Sequence, residues 1–468
     1  MERATGNSKA FKMASVIMAL AWPTMVEQLM QTAVQYIDTA MVGSLGVEAT
    51  AAVGSTSTVN WLVGSTISAI SIGFLSYIAR AIGEGDERKT KKAVAQAVLM
   101  VFAVGILATL ITLSLSGCIP RWMQVDPLIQ PIASTYFFIL YAPMLFRTSS
   151  IIFGTVLRAS GDAKTPMKVG VWVNIINVVL NFLLIYPKRS IEVMSFSIFI
   201  PGAGLGVIGA ALASSISFVF GGACMAIAVF KHKRISPIGE SFRPDWSVLG
   251  PCLRVASPNM AQRFGTSLGY VVFASMINSL GGIATAAHTI ANTVESAFYI
   301  PGYGMQSAAA TLAGNAYGAK DREGMKELAR IFIPIEIALM MISGALLFAL
   351  ARPLVSLFSD SPEVISLGTI VLKMVAISEP FYGFSIIVEG FMQGVGKTKL
   401  PFIFNLCGMW GVRILGTFIC TQLLSMTLVS AWGAMIAHNM LLFILFVVVY
   451  GKGLWNPLGK QDEIISSV

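Results

Sequence analysis

The chain has 468 residues, 55% hydrophobic and only 12% charged, with a mean hydropathy of +0.75. A soluble protein of this size carries roughly twice that charged fraction. The composition therefore excludes a soluble globular class, and the net charge of +9 needs an explanation other than nucleic-acid binding.

Residues 1–13 read as a cytoplasmic N-terminal tail, because no small-residue cleavage site leads into a soluble domain. Long apolar runs of about 20 residues then recur to the end of the chain, the signature of membrane-spanning helices. Twelve spans are expected: 14–43, 50–79, 93–117, 130–157, 166–187, 204–230, 247–279, 284–315, 327–351, 364–393, 400–424 and 427–450. Residues 231–246 form a cytoplasmic linker between two lobes, 14–230 and 247–450, and 451–468 form a cytoplasmic C-terminal tail. With the N-terminus inside, the inner connections and tails hold 23 Lys and Arg and the outer ones 4. This asymmetry fits the positive-inside rule, so the basic balance is a topology signal. The five cysteines are scattered without a CxxC pair or metal spacing and read as small hydrophobes.

The halves repeat at an offset of 235 residues. Pro23 matches Pro258, "GSLG" (43–46) matches "NSLG" (278–281), "ATAA" recurs at 49–52 and 284–287, and "GDAKTP" (161–166) matches "GKTKLP" (396–401). After an insertion of eleven residues around "KRSIEVMSFSIFIPGAG", the offset falls to 224, where "GAALA" (209–213) matches "GAMIA" (433–437). Six spans per half give a parallel repeat about an axis along the membrane normal. The predicted fold is thus an all-α polytopic membrane protein of twelve helices in two six-helix lobes.

Polar residues inside the spans carry the functional signal, because burying them in lipid is costly. In span 1, Glu27, Gln31, Gln35 and Asp38 follow at steps of four, four and three and share one face. In span 5, Asn174, Asn177 and Asn181 share a face. One such Asn could serve helix packing. Three of them, in a chain whose first span offers a carboxylate, suit a small hard cation, because amide carbonyls and a carboxylate are hard oxygen donors. Asn177 and Asn181 lie about 16 and 22 Å from the inner boundary, and Asp38 about 12 Å from the outer one, at 1.5 Å per residue. In a ~30 Å core these heights overlap, so Asp38, Asn177 and Asn181, with Ser214 adding a hydroxyl, form the expected cation site. Glu27 either serves an inward-open cavity or pairs with a neighbour in its lobe.

The second lobe departs from this pattern. The mates of Asp38, Asn177 and Asn181 are Phe273, Val412 and Gly416. Its ionisable set is Arg263, His288, Glu295, Glu389, Arg413 and His438. Glu389 and Arg413 each lie twelve residues from Pro401, so both would sit ~18 Å deep. They are expected to form a buried pair, read as a structural bridge ahead of substrate contact. Gln31, Gln35, Asn174, Gln262, Arg263 and Glu295, with Glu27, Glu389 and Arg413, are the candidate substrate-cavity residues. His288 reads as a packing or capping histidine.

The motifs "YIDTAMVGSLG", "AAVG", "ARAIGEGD", "LRASGDAKTP" with "NIINVVLNFLLIYP", and "ATAAHTIAN" together resemble the multidrug and toxic compound extrusion (MATE) family of bacterial type, over about residues 10–450. The resemblance implies twelve helices in two lobes forming a V, and efflux driven by inward sodium or proton movement. It places the family's cation-binding aspartate on Asp38 and its polar pair on Asn177 and Asn181. Asn181 matches NorM-like members, where DinF-like ones carry aspartate. The acidic second-lobe residues of NorM-like members are not matched: Gln262 and Arg263 stand in span 7, and Glu389 in span 10 falls at a different step.

The functional expectation is a sodium- or proton-coupled antiporter in the inner membrane, acting as a monomer. It would export amphipathic, often cationic, organic compounds, without cofactor or nucleic-acid partner. The alternative is a flippase for a lipid-linked precursor, which would line its cavity with basic residues; the intramembrane set here is Arg147, Arg254, Arg263, Lys373 and Arg413. No nucleophile–base pair or paired catalytic carboxylates point to an enzyme.

Overall fold

The structure, a computed structural model, describes residues 2–123, 125–193 and 196–459. The long helices are α1 (Glu2–Gly43), α2 (Val47–Gly83), α3 (Glu87–Leu115), α7 (Lys164–Leu184), α8 (Gly206–Lys231), α9 (Trp246–Asn278), α10 (Gly282–Gly318), α11 (Arg322–Ser356), α12 (Pro362–Gly394) and α15 (Leu428–Gly451). Between α3 and α7 run the short α4 (Ile119–Trp122), then α5 (Gln130–Tyr141) and α6 (Met144–Ala159). These last two make one span bent by 48°; the break falls at Ala142 and Pro143, where proline withholds an N–H from the helical ladder. Between α12 and α15 run α13 (Lys399–Cys407), a π-helical stretch (Gly408–Ile414), α14 (Leu415–Phe418) and a second π-helical stretch (Ile419–Leu423).

Among the described residues, nine helices are long and apolar enough to cross a membrane, and ten with the bent pair. The other two spans are α9 and α10, with 33 and 37 residues. They are long enough to cross, but Arg254, Gln262 and Arg263 in one and a Gly-, Ala- and Thr-rich sequence in the other dilute their hydropathy. The protein is an all-α polytopic membrane protein with twelve transmembrane helices in two lobes. The insertion of the first half is not helical: its backbone forms an antiparallel hairpin of β1 (Pro187–Val193) and β2 (Phe196–Ala203). The expected N-terminal tail begins as helix, since α1 starts at Glu2. Past α15, Trp455 is buried and stacks on Tyr450 at 5.5 Å; residues 460–468 of the expected C-terminal tail lie outside the described residues.

The repeat survives in backbone detail. Asp86 caps α3 by accepting from the Lys89 N–H at 2.8 Å, and its mate Asp321 caps α11 by accepting from the Gly324 N–H at 2.8 Å. A side-chain oxygen there satisfies one of the free N–H groups at a helix start. The turn glycines Gly161 and Gly396 are mates, with φ of 91° and 81°, a region that costs glycine little. At the start of α9, outside the apolar spans, a third aspartate cap, Asp245, accepts from the Ser247 N–H. Its carboxyl is held down at about 2 by hydrogen bonds from Lys92 and then Ser247.

The lobes meet along α1, α2, α9 and α10. The early part of α1 (Ile17, Leu20, Ala21) packs into the core of the second lobe with Met305 and Phe332, while its end faces α7 of the first. Near the basic loops the seam is sealed at backbone level. The Ser76 hydroxyl donates to the Gly394 carbonyl at 2.9 Å, the Arg80 guanidinium lies 5.2 Å over the Tyr317 ring, and Gly83 and Gly318 sit directly against the backbone of Asn315 and Arg80. At the opposite end, Gly43, Gly46, Gly281 and Gly282 have nothing within 4 Å of where a side chain would start.

Candidate functional site

The stripe on α1 is bound at its ends and open in its middle. Gln31 and Gln35 are exposed, whereas Asp38 is half-buried and Glu27 buried. At the open end of the molecule, Asp38 meets the asparagine ladder of α7. The Asn181 amide Nδ2 donates to Asp38 Oδ1 at 2.5 Å and to Asn177 Oδ1 at 3.2 Å. Asn177 Nδ2 donates to the Ser214 hydroxyl of α8 at 3.3 Å. The structure thus brings together Asp38, Asn177, Asn181 and Ser214.

The hydrogen bonds leave a telling remainder. The Asn177 amide atom turned toward Asp38 lies 2.8 and 3.2 Å from its two carboxylate oxygens. As the carbonyl oxygen, it stands beside the two Asp38 oxygens, and the Asn181 Nδ2 group is the donor that Asp38 Oδ1 and Asn177 Oδ1 share. Turned over, its nitrogen would donate to Asp38 instead; amide orientation follows the hydrogen-bond network. The buried Asn181 Oδ1 and Asn174 Nδ2 have no partner among the described residues. The Asp38 carboxylate with the Asn177 and Asn181 side-chain oxygens beside it is a hard donor set that fits a small hard cation, and the carboxylate alone could take a proton instead. Among the described residues no three His, Cys, Asp or Glu side chains come together as metal ligands.

Glu27, eleven residues and about 16 Å deeper on α1, pairs with Arg158 of α6. Arg158 Nη1 donates to its two oxygens at 3.0 and 3.3 Å, and Nη2 donates to the Thr155 hydroxyl at 3.0 Å. Of the two readings of Glu27, the partner within its own lobe is the one the geometry supplies.

In the second lobe the expected Glu389–Arg413 pair does not form. Glu389 instead accepts from three amides: Gln262 Nε2 at 3.0 Å, Gln393 Nε2 at 3.2 Å and Asn405 Nδ2 at 3.3 Å. Arg413 is 4% exposed; its guanidinium lies 4.7 and 4.5 Å from the Tyr270 and Phe273 ring centroids and donates to Met435 Sδ at 2.8 Å. The equal-depth argument assumed a regular helix after Pro401. Arg413 lies instead in the π-helical stretch, whose i→i+5 bonds rotate it off the face that α13 turns to Glu389. Arg263 is half-buried, and Glu295 is buried on α10. His288 packs edge-on between Phe273 and Trp432, at 5.5 and 5.8 Å.

Two buried acids were missed. Glu336 on α11 is 0% exposed and both its oxygens lack a partner among the described residues; Glu379 on α12 is buried with Oε2 alone. Each is a single acid in an otherwise apolar run, "IPIEIALMM" and "VAISEPFYGF", the same signal that singled out Asp38. Near them Tyr303 and Tyr382 share a hydroxyl hydrogen bond at 2.9 Å.

The family described as MatE matches residues 23–183 and 258–419, one match per half. A protein named probable multidrug resistance protein NorM from Thermotoga maritima is 26% identical over 440 residues, covering 94% of this chain and 92% of that one. Another, named probable multidrug resistance protein YoeA from Bacillus subtilis, is 24% identical over 436 residues, covering 92% and 91%. Among solved structures, a multidrug resistance MATE family transporter of the MOP superfamily in an outward-facing conformation has a TM-score of 0.87 at 22% identity, covering 96% of this chain and 97% of that chain. A MOP superfamily transporter from Pyrococcus furiosus, described by a reverse polarity of its binding pocket, has a TM-score of 0.86 at 23% identity, covering 95% and 96%. At these identities the structural likeness bears on the fold alone.

Proposed function

The chain belongs to the MatE family of membrane transporters, and from that premise we propose that it is a cation-coupled antiporter that exports amphipathic, often cationic, organic compounds. The multidrug names of its relatives support the substrate class. The observation that carries the coupling is the meeting of the half-buried Asp38 carboxylate with the Asn177 amide at 2.8 and 3.2 Å and with Asn181, whose own Oδ1 is buried without a partner among the described residues. Charge on a poorly hydrated carboxylate is costly. A proton removes that cost, and a sodium ion held by Asp38, Asn177, Asn181 and Ser214 offsets it.

With the basic loops on the cytoplasmic side, the seam is sealed inside and the Asp38 end opens outward. Both termini are then cytoplasmic. An external cation reaching Asp38 neutralises it. This favours release of the organic substrate outward and return of the lobes to the inward-open arrangement, where the cation leaves and substrate loads. Driving force comes from the cation gradient, and alternating access from rocking of the lobes about their seam. The face of α1 that carries Gln31 and Gln35 lines the first-lobe side of the path.

The test is efflux of a fluorescent cationic dye from proteoliposomes with sodium and pH gradients imposed independently. Asp38→Asn mimics the neutral state and removes the anion a cation needs. It should abolish gradient-driven efflux and leave dye counterflow measurable. Gradient-driven efflux at the wild-type rate in Asp38→Asn would sink the mechanism. Sodium coupling further requires Asn177→Ala to weaken the apparent sodium affinity; proton coupling leaves both proteins nearly indifferent to sodium.

A further inference from the structure

The second lobe holds buried polar groups that the transport reading does not use. Arg413 Nε, Thr417 Oγ1, Trp432 Nε1, His288 Nδ1 and both ring nitrogens of His438 are buried without a hydrogen-bond partner among the described residues. They belong to one neighbourhood. Thr417 is one turn from Arg413. Trp432, Met435 and His438 follow at steps of three on α15, and Met435 accepts from Arg413. His288 packs edge-on against Trp432 and against Phe273, the ring beneath Arg413.

This neighbourhood is the repeat counterpart of the Asp38 site. At the offset of 235, Asp38 corresponds to Phe273, Asn177 and Asn181 to Val412 and Gly416, and at 224 Ser214 corresponds to His438. Arg413 and Thr417 each follow the asparagine-equivalent positions by one residue. Where the first lobe gathers a carboxylate and amide oxygens, the second gathers a fixed cation and N–H groups. The polarity is inverted at the same place in the fold.

We propose that this cluster binds a small monovalent anion of the chloride type. Arg413 makes no ion pair among the described residues; Glu295 on α10 lies within its field but outside ion-pair range. An unpaired buried charge is strongly disfavoured. Stacking on two rings relieves part of that cost and leaves Nε–H unused. Water is the competing occupant, since the Thr417 hydroxyl and a neutral histidine nitrogen can accept its protons, but the Arg and Trp groups can only donate and water leaves the charge of Arg413 uncompensated. An anion takes protons from all sides. The cluster is sealed from solvent, with Phe273 1%, Arg413 4% and Trp432 0% exposed, so whatever satisfies these groups lies inside the protein.

The test uses the purified full-length protein, melted in detergent at constant sodium and constant ionic strength while gluconate is exchanged for chloride or bromide. The wild type should melt at higher temperature with halide, with a saturable dependence on its concentration. Arg413→Met should lose the shift. Trp432→Phe and Thr417→Val each remove one donor at nearly constant shape, and each should weaken the apparent halide affinity several-fold. They carry the test if Arg413→Met does not fold. Asp38→Asn should keep the wild-type halide response, which separates this site from the one in the first lobe. Equal melting in gluconate and halide, a response that never saturates, or a halide affinity unchanged in both Trp432→Phe and Thr417→Val would overturn the proposal in favour of water.

Discussion

The Glu27–Arg158 pair can be removed from either side. Its two side chains are 11% and 17% exposed, close to buried but not sealed. Deleting one partner of a fully buried pair costs about 3–5 kcal/mol, while exposed pairs contribute about 0–1 kcal/mol. The bifurcated contact at 3.0 and 3.3 Å and the further bond from Nη2 to Thr155 place this pair nearer the first limit. We therefore expect Glu27→Gln and Arg158→Gln each to lose about 3 kcal/mol, the low end of the buried range, since each strands one charge in a half-dry site. The double variant, with two facing amides, should recover about 1–2 kcal/mol of the summed loss, well beyond the ~0.3–0.5 kcal/mol scatter of independent sites. The assay is a double-mutant cycle on equilibrium unfolding in mixed micelles, with dye efflux measured on the same preparations. The double variant should also export, because the pair braces α1 against α6. Additive losses would refute the pairing. A stable double variant without export would give Glu27 to the transport path instead.

Three further outcomes follow from the geometry. Glu389→Gln and Arg413→Met should be additive in stability, because Glu389 is held by Gln262, Gln393 and Asn405 and Arg413 by aromatic rings; a coupling above about 1 kcal/mol would restore the pair. In a background where Cys252 is the only thiol, Gly83→Ala or Gly318→Ala should raise its labelling rate, because a methyl group there meets the facing backbone and parts the seam that buries Cys252; unchanged labelling in a folded variant contradicts a sealed seam. A cysteine at Gly85 should react only with impermeant reagent on the cytoplasmic side and one at Lys188 only from outside, and reversed labelling would invert the proposed orientation.

The legible part of this protein was its frame, for reasons visible in particular residues. Apolar runs, basic turns and repeated motifs are local signals, and they led to the helices, the Asp86 and Asp321 caps and the turns at Gly161 and Gly396. The meeting of Asp38 with Asn177 and Asn181 was legible too, because depth along a regular helix is a matter of counting. Counting failed where the helix is not regular. The π-helical stretch at 408–414 turned Arg413 away from Glu389, and nothing in "GMWGVRI" announces that extra residue per turn. Glu336 and Glu379 failed differently: the signal was present, and attention to shared faces passed over single acids. The hairpin at 187–203 was seen only as an insertion, since a short apolar run does not distinguish strand from helix.

Duplication makes the differences between the lobes more informative than either lobe alone. Caps, turns and span order match at a fixed offset, so the interior positions are comparable one by one. A bundle kept only for stability would be expected to diverge toward apolar packing in both copies, because buried polar groups are costly. Instead each lobe holds polar groups at the equivalent place, with opposite character: Asp38 among amides on one side, Arg413 over the Phe273 ring on the other. Under the proposed coupling, a cation drawn to the first site is not drawn to the second, where Arg413 is positive and the proposed ligand is an anion. On this reading the coupling ion has one lobe to bind, and the inverted charge of the other confines it there. Reversing that charge tests the point. Arg413→Glu should create a second cation-responsive element and change the stoichiometry of gradient-driven export, and an unaltered stoichiometry in a folded variant would refute the confinement.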